Sequence, residues 1–141
     1  MQVTTTINMR GVLAAIKKAQ VSPARSKRAL KMAAVSQVRE IKTRTASGEG
    51  LNGAFKGYSK DYFDIKAKRK GGMPDVNLFY SGRMLANLGV VKATSNFVLL
   101  SFSSQTERKK AKANQRTRPF MGIKPDEQKS IMRIFKRELF K

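Results

Sequence analysis

The chain contains no cysteine and no histidine. Their absence excludes disulfides, a thiolate nucleophile, zinc sites of the common nitrogen–sulfur types and imidazole acid–base catalysis. Acidic residues are scarce as well: nine Asp and Glu stand against thirty Lys and Arg, for a net charge of +21. Catalysis would have to run on carboxylates, Lys, Ser or Tyr. The acids that lie close in sequence are Asp61 with Asp64, beside Lys60 and Lys66, and Asp126 with Glu127. A two-metal nuclease draws on several converging carboxylates. The first pair therefore reads as local charge balance and the second as helix N-terminal residues that complement the macrodipole. No catalytic, metal-binding or cofactor-binding residue is assigned, and no small-molecule substrate is expected.

Long apolar runs are missing too. The longest, FVLL at residues 97–100, is far shorter than the stretch that spans a bilayer, so no membrane partner is expected. MQVTTTINMR lacks a charged start leading into an apolar segment and predicts no signal peptide; with the missing cysteines it fits a cytosolic origin. No GxxxxGK[ST], GxSxG or dinucleotide-binding GxGxxG site is expected, and SGEG and SGRM read as glycine turns rather than phosphate cradles.

What is present fits one domain, residues 1–141, with 40% apolar residues and a length that buries roughly two-thirds of its unfolded surface. Ile7, Met9, Val12, Leu13 and Ile16 recur near the helical period and predict a short helix over about residues 7–20, weakened at Gly11. Ser22 and Pro23 are an N-cap and a first-turn proline. Leu30, Ala34, Val38 and Ile41 then line one face of a helix of about 25 residues that ends at Gly48. Residues 47–76 hold no period for more than a turn and predict an irregular, glycine-rich, basic excursion. Residues 78–89 fit a short amphipathic helix or turn. VVKATSNFVLLSFSS predicts strands at about 89–94 and 97–103 joined at Ser95-Asn96. A lone hairpin is marginal, so another strand or two is expected from 47–80 or 117–123. TERKKAKANQRTR is a mostly exposed, helix-compatible basic segment. KPDEQKSIMRIFKRELF predicts a terminal helix over about 126–140, with Ile131, Ile134, Phe135 and Leu139 on its apolar face. The fold class is α+β: a long N-terminal helix and a C-terminal helix packed on a small, mostly antiparallel sheet.

The charge calls for an anionic partner, either nucleic acid or an acidic protein surface. The candidate contacts form two blocks: Lys66, Lys68, Arg69 and Lys70, then Arg108, Lys109, Lys110, Lys112 and Arg116. Tyr58, Tyr62 and Phe63 lie beside the first and fit either base stacking or anchoring of the excursion. Sequence-nonspecific nucleic-acid binding is thus one reading of the chain.

The second comes from order. SGEGLNGAFKGYSKDY, DVNLFYSGRMLANL, NFVLLSF, AKANQ, RPFMGI and a last helix follow one another here. In that order they resemble the virion morphogenesis, or tail-completion, proteins of tailed bacteriophages, the Mu-type and related head–tail connector group. The resemblance covers roughly residues 22–141 and rests on Tyr58 and Tyr62, Ser81-Gly82, Gln115, and Arg118, Pro119, Phe120 and Gly122. The chain departs from the pattern in its short link from Gln115 to Arg118 and in its high positive charge. The family implies an α+β subunit that assembles with copies of itself into a six- or twelvefold ring at the neck or the head-proximal end of the tail. Its partners would be neighbouring neck, tail-tube or connector proteins, with nonspecific contact to packaged DNA, and its place the virion after assembly in the host cytoplasm. On packing grounds Pro119 stiffens a turn, Phe120 enters the core, and Arg118 reaches backbone carbonyls or an acid.

Overall fold

The structure, a computed structural model, describes residues 3–8, 20–70, 76–78 and 82–141. Its elements in chain order are β1 (Thr5–Asn8), α1 (Pro23–Ala46), β2 (Glu49–Gly50), β3 (Gly53–Ala54), α2 (Lys60–Lys70), α3 (Arg83–Asn87), β4 (Leu88–Ala93), β5 (Phe97–Phe102), α4 (Gln105–Thr117) and α5 (Pro125–Leu139). The fold is α+β, with an antiparallel three-stranded sheet in the order β1-β5-β4. Helix α1 lies against the sheet and α5 packs along α1.

Ser22 caps α1 by accepting a hydrogen bond from the Arg25 N–H at 3.3 Å, and Pro23 occupies the first turn. Ala29, Leu30, Ala33, Ala34 and Ile41 bury one face of the helix. Small residues on that face let a neighbouring backbone approach closely. From the sheet, Val98, Leu100 and Phe102 of β5 enter the same core, joined by Ile7 of β1 and Leu88 of β4. Phe120 and Phe135 close it at the α5 side with no exposed surface.

The third strand of this sheet comes from the N-terminal segment, while the two strands found in 47–80, β2 and β3, pair only with each other. Ile7 and Asn8 belong to β1, which pairs with β5 in the register Thr5↔Leu100 and Ile7↔Val98. Residues 9–19 of the expected 7–20 helix lie outside the described residues. The run Val3-Thr4-Thr5-Thr6-Ile7 is wholly β-branched, and Val3, Thr5 and Ile7 alternate into the core. Stiff β-branched side chains suit a pleated surface, and at Ile7 this outweighs its place at the head of the near-helical recurrence that runs to Ile16.

The excursion is more ordered than its composition predicts. It contains the β2–β3 hairpin and α2, an eleven-residue helix. No apolar period announces α2 because the residue it buries most deeply is Lys66, 1% exposed. The run GEGLNG at residues 48–53 spells G-x-G-x-x-G, yet it lies between the end of α1 and a hairpin. A dinucleotide fingerprint needs a preceding strand and a following helix, so these glycines shape a turn.

Gln37 and Arg44 share the buried face of α1 with Leu30 and Ile41. Arg44 Nη1 pairs with Glu127 Oε1, and Arg44 Nη2 donates to the carbonyls of Phe120 at 2.7 Å and Gly122 at 3.1 Å. Gln37 Nε2 donates to Glu127 Oε2 at 2.8 Å and to Gly122 O at 3.3 Å. Glu127 Oε2 also accepts the Lys124 N–H at 2.9 Å, so one carboxylate caps α5 and neutralises Arg44. Gly122 has φ 152°, and a Cβ there would sit 2.6 Å from Leu51 Cδ1, so the turn requires glycine.

Phe120→Ala should lower the free energy of unfolding by about 3–5 kcal/mol, the cost of truncating a fully buried aromatic ring. Urea unfolding measures it, and a loss below about 1 kcal/mol would show that Phe120 is not a core anchor.

Candidate functional site

The described residues enclose a cleft of about 480 Å³ between the start of α2, the segment 76–78, the N-terminus of α3 and one face of α4. Tyr58, Tyr62, Gly82 and Arg118, four of the residues that carry the sequence pattern, line it, with Glu107, Lys110 and Asn114 from α4 and Met84 from α3. They span 61 positions of chain from Tyr58 to Arg118, so the fold, not local sequence, brings them together.

Tyr58 is the hub. Its ring meets Tyr62 edge-on at 4.8 Å, with Lys66 Nζ 4.8 Å and Arg118 Cζ 4.7 Å from its centroid. Two cations on one ring are tolerated because the quadrupole attracts positive charge. Each cation also has oxygen acceptors. Lys66 Nζ donates to Tyr58 Oη at 3.1 Å and to Asn77 Oδ1 at 2.8 Å. Arg118 Nε donates to Lys56 O at 2.7 Å and its Nη2 to Gly57 O at 2.6 Å. Tyr58 Oη further accepts the Leu78 N–H at 3.1 Å, holding Leu78 at φ 55°, a left-handed conformation that costs a side-chain-bearing residue energy. The backbone of the excursion is thus tied to the end of α4 through Arg118.

Gln115 ties the next stretch of chain. Its Oε1 accepts the N–H groups of Phe120 and Met121, both at 3.0 Å, and its Nε2 donates to Met121 O at 3.1 Å. Pro119 O accepts the Leu51 N–H at 2.8 Å. That approach explains Gly50, where a Cβ would lie 2.3 Å from Pro119 O. The residues of the RPFMG stretch are therefore packing and hydrogen-bonding elements: Arg118 holds the excursion, Pro119 the hairpin, Phe120 the core and Gly122 the α1 clamp.

The basic residues divide. Lys66 is corrected from a partner contact to a buried structural cation, because its ammonium is enclosed by Tyr58 and Asn77. Lys68 and Arg69 are exposed, and the side chain of Lys70 lies outside the described residues, as does all of Ser81. On α4, Arg108, Lys109, Lys110, Lys112 and Arg116 are exposed. Arg108 Nη2 is tethered to Phe102 O at 2.9 Å, and Lys110 Nζ to Glu107 Oε1 at 3.0 Å. Arg108, Lys112 and Arg116 follow at i, i+4 and i+8, which spaces their Cα atoms by roughly 6 Å along one helix face.

Sequence reasoning missed Gln37, Arg44 and Glu107. Gln37 and Arg44 carried a signal: polar residues in phase with Leu30, Ala34 and Ile41 must find partners inside the core. Glu107 carried none beyond its place in the first turn of a helix. No family model, curated protein or solved structure matches the chain.

Lys66→Ser should destabilise the subunit by about 1–3 kcal/mol, because Tyr58 Oη and Asn77 lose a buried donor. Lys68→Ser should stay within about 0.5 kcal/mol. Equal effects in urea unfolding would contradict the buried role of Lys66.

Proposed function

We propose that this protein is a structural virion subunit of a tailed phage. It forms a ring at the neck or head-proximal tail end that completes the tail or joins it to the head, and it does so without catalysis. The observation that supports this most is the convergence of the pattern residues. Tyr58, Tyr62, Gly82 and Arg118 line one cleft, while Gln115 clamps the turn that follows Arg118. The exposed charge suits the same role, since a subunit carrying +21 repels its copies until neighbours or DNA compensate it.

A second reading has its own support in the stripe formed by Arg108, Lys112 and Arg116. Exposed cations in a row along one helix face suit a phosphate backbone, and such binding is blind to sequence. In a neck ring this face would border the DNA channel; in a free nucleic-acid-binding protein it would be the whole function. The salt dependence of affinity reports how many phosphates are met, at roughly 0.9 per contact on the log–log slope for duplex DNA.

Electron microscopy of lysates from a phage lacking this gene tests the proposal. Full heads beside separate, normal-length or overlong tails are the expected result. Absent or empty heads would favour packaging and DNA contact, and intact virions would contradict a role in assembly. Within the complete phage, changing Lys68, Arg69 and Lys70 together to Ser should lower infectivity while the purified subunit unfolds at an unchanged urea concentration. Unchanged infectivity would remove that block from the assembly surface.

A further inference from the structure

Helix α1 turns to solvent a second face that none of the contacts above uses. Arg25, Arg28, Met32, Val35, Arg39 and Lys42 follow one another there at intervals of 3, 4, 3, 4 and 3 residues. They form one stripe, roughly 26 Å long at 1.5 Å of rise per residue, opposite the face that buries Leu30, Gln37 and Ile41. All are exposed except Lys42, which is half-buried. The two apolar members sit in the middle, Met32 44% and Val35 46% exposed, with two cations before them and two after. Among the described residues none of these four cations pairs with a carboxylate, since the ion pairs are made by Arg44, Lys110, Lys124, Arg137 and Lys141. Glu40, the one acid of α1, lies about 110° around the helix from the stripe.

The alternation of 3 and 4 is informative. Its mean period of about 3.5 residues is that of the a and d positions of a coiled coil, and it keeps a seam facing one partner helix along its length. A single exposed apolar residue needs no explanation. Two in succession on such a seam, bounded by arginines, have the make-up of a small interface, with an apolar centre, a charged rim, and Met and Arg prominent. The charge then decides what lies opposite. A second copy would set cations against cations along the whole seam. A phosphate backbone would reward the four cations and gain nothing from Met32 and Val35. Two side chains are also too little apolar surface to seat the helix in a bilayer interface.

We propose that this face of α1 docks an α-helix of a different, acidic protein, whose seam is apolar at its centre and carries carboxylates at both ends. The apolar residues of that helix lie on Met32 and Val35. Its Asp or Glu side chains meet Arg25 and Arg28 at one end and Arg39 and Lys42 at the other. Arginine suits such positions because its planar fork pairs with a carboxylate through two parallel hydrogen bonds. The contact needs no ring of like copies, so it stands or falls apart from the assembly reading. Within a virion it would join the subunit to an unlike neighbour.

The test is a titration of the isotope-labelled full chain with a synthetic helix of about three heptads, kept helical by a side-chain bridge on its outer face. Its seam reads Glu-Glu-Leu-Leu-Glu-Glu at the spacing of the stripe. That seam is the same in both directions, so helix orientation does not decide the result. One control peptide replaces the two Leu by Ser, and another replaces the four Glu by Gln. Saturable shifts of the Met32 and Val35 amide signals are expected, with affinity at least about tenfold above either control. The double variant Met32→Ser, Val35→Ser should lose at least about tenfold in affinity and keep its thermal midpoint, because both side chains are exposed. The double variant Arg28→Gln, Arg39→Gln should weaken binding and flatten its salt dependence. No saturable shift would overturn the proposal. So would equal binding of the Ser-seam peptide, which would reduce the contact to attraction of any polyanion. A DNA duplex or a phosphatidylserine vesicle that shifts the same signals, and binds the Met32→Ser, Val35→Ser variant more tightly than the peptide binds the parent chain, would overturn it in favour of a phosphate or lipid surface.

Discussion

The buried pairing of Arg44 with Glu127 is the contact on which the arrangement of the chain depends. Arg44 is fixed by helix α1, Glu127 by the first turn of α5, and the carbonyls of Phe120 and Gly122 lie between them. Taking two charges out of water costs several kcal/mol each, which attraction recovers only when further hydrogen bonds complete the site. Here Gln37 and the Lys124 N–H supply most of that completion. Such an arrangement tolerates little slippage: a shift of one residue in α1 would carry Arg44 off the buried face. It fixes the register of α5 along α1 and the path of the turn between them. Apolar packing alone specifies both less sharply.

From that turn the rest of the site follows. With Phe120 and Gly122 held from one side, Gln115 clamps Phe120 and Met121 from the other, and the end of α4 is placed. Placing the end of α4 places Arg118, whose guanidinium carries the excursion by its backbone at Lys56 and Gly57 and stacks on Tyr58. The cleft is thus the last link of a chain of contacts that starts in the core. Its polar lining comes from one face of α4, through Glu107, Lys110 and Asn114, and from the start of α2, through Tyr58 and Tyr62.

Much of the architecture was legible in the residues. Ser22-Pro23, Gly48 and the Leu30–Ala34–Ile41 stripe marked α1; Pro125, Asp126 and Glu127 marked the start of α5; the VVKATSNFVLL pattern marked the hairpin. Two elements escaped, each for its own physical reason. Strand β1 is only four residues long, and its partner residues in β5 lie about 90 positions away in the chain. Helix α2 has a lysine as its buried residue, so hydrophobic periodicity is silent there. Lys66 looked like part of a surface block because four cations crowd residues 66–70, and only the fold shows that one of them turns inward to Tyr58. In the site, Phe120 as a core residue and Arg118 as a donor to backbone carbonyls were legible and are seen in the structure, whereas the role of Gly122 and the identity of the partners were not. Those roles depend on partners at positions 44, 51, 56 and 57 that no local reading connects.

A double-mutant cycle on Arg44→Met and Glu127→Leu, followed by urea unfolding, tests this account most directly. Each single change strands a buried charge and should cost about 3–5 kcal/mol. The double change removes both charges and should cost well under the sum, leaving a coupling of at least about 2 kcal/mol. Additive losses would show that the two residues do not act as a unit. The turn and the cleft that depends on it would then need a different foundation.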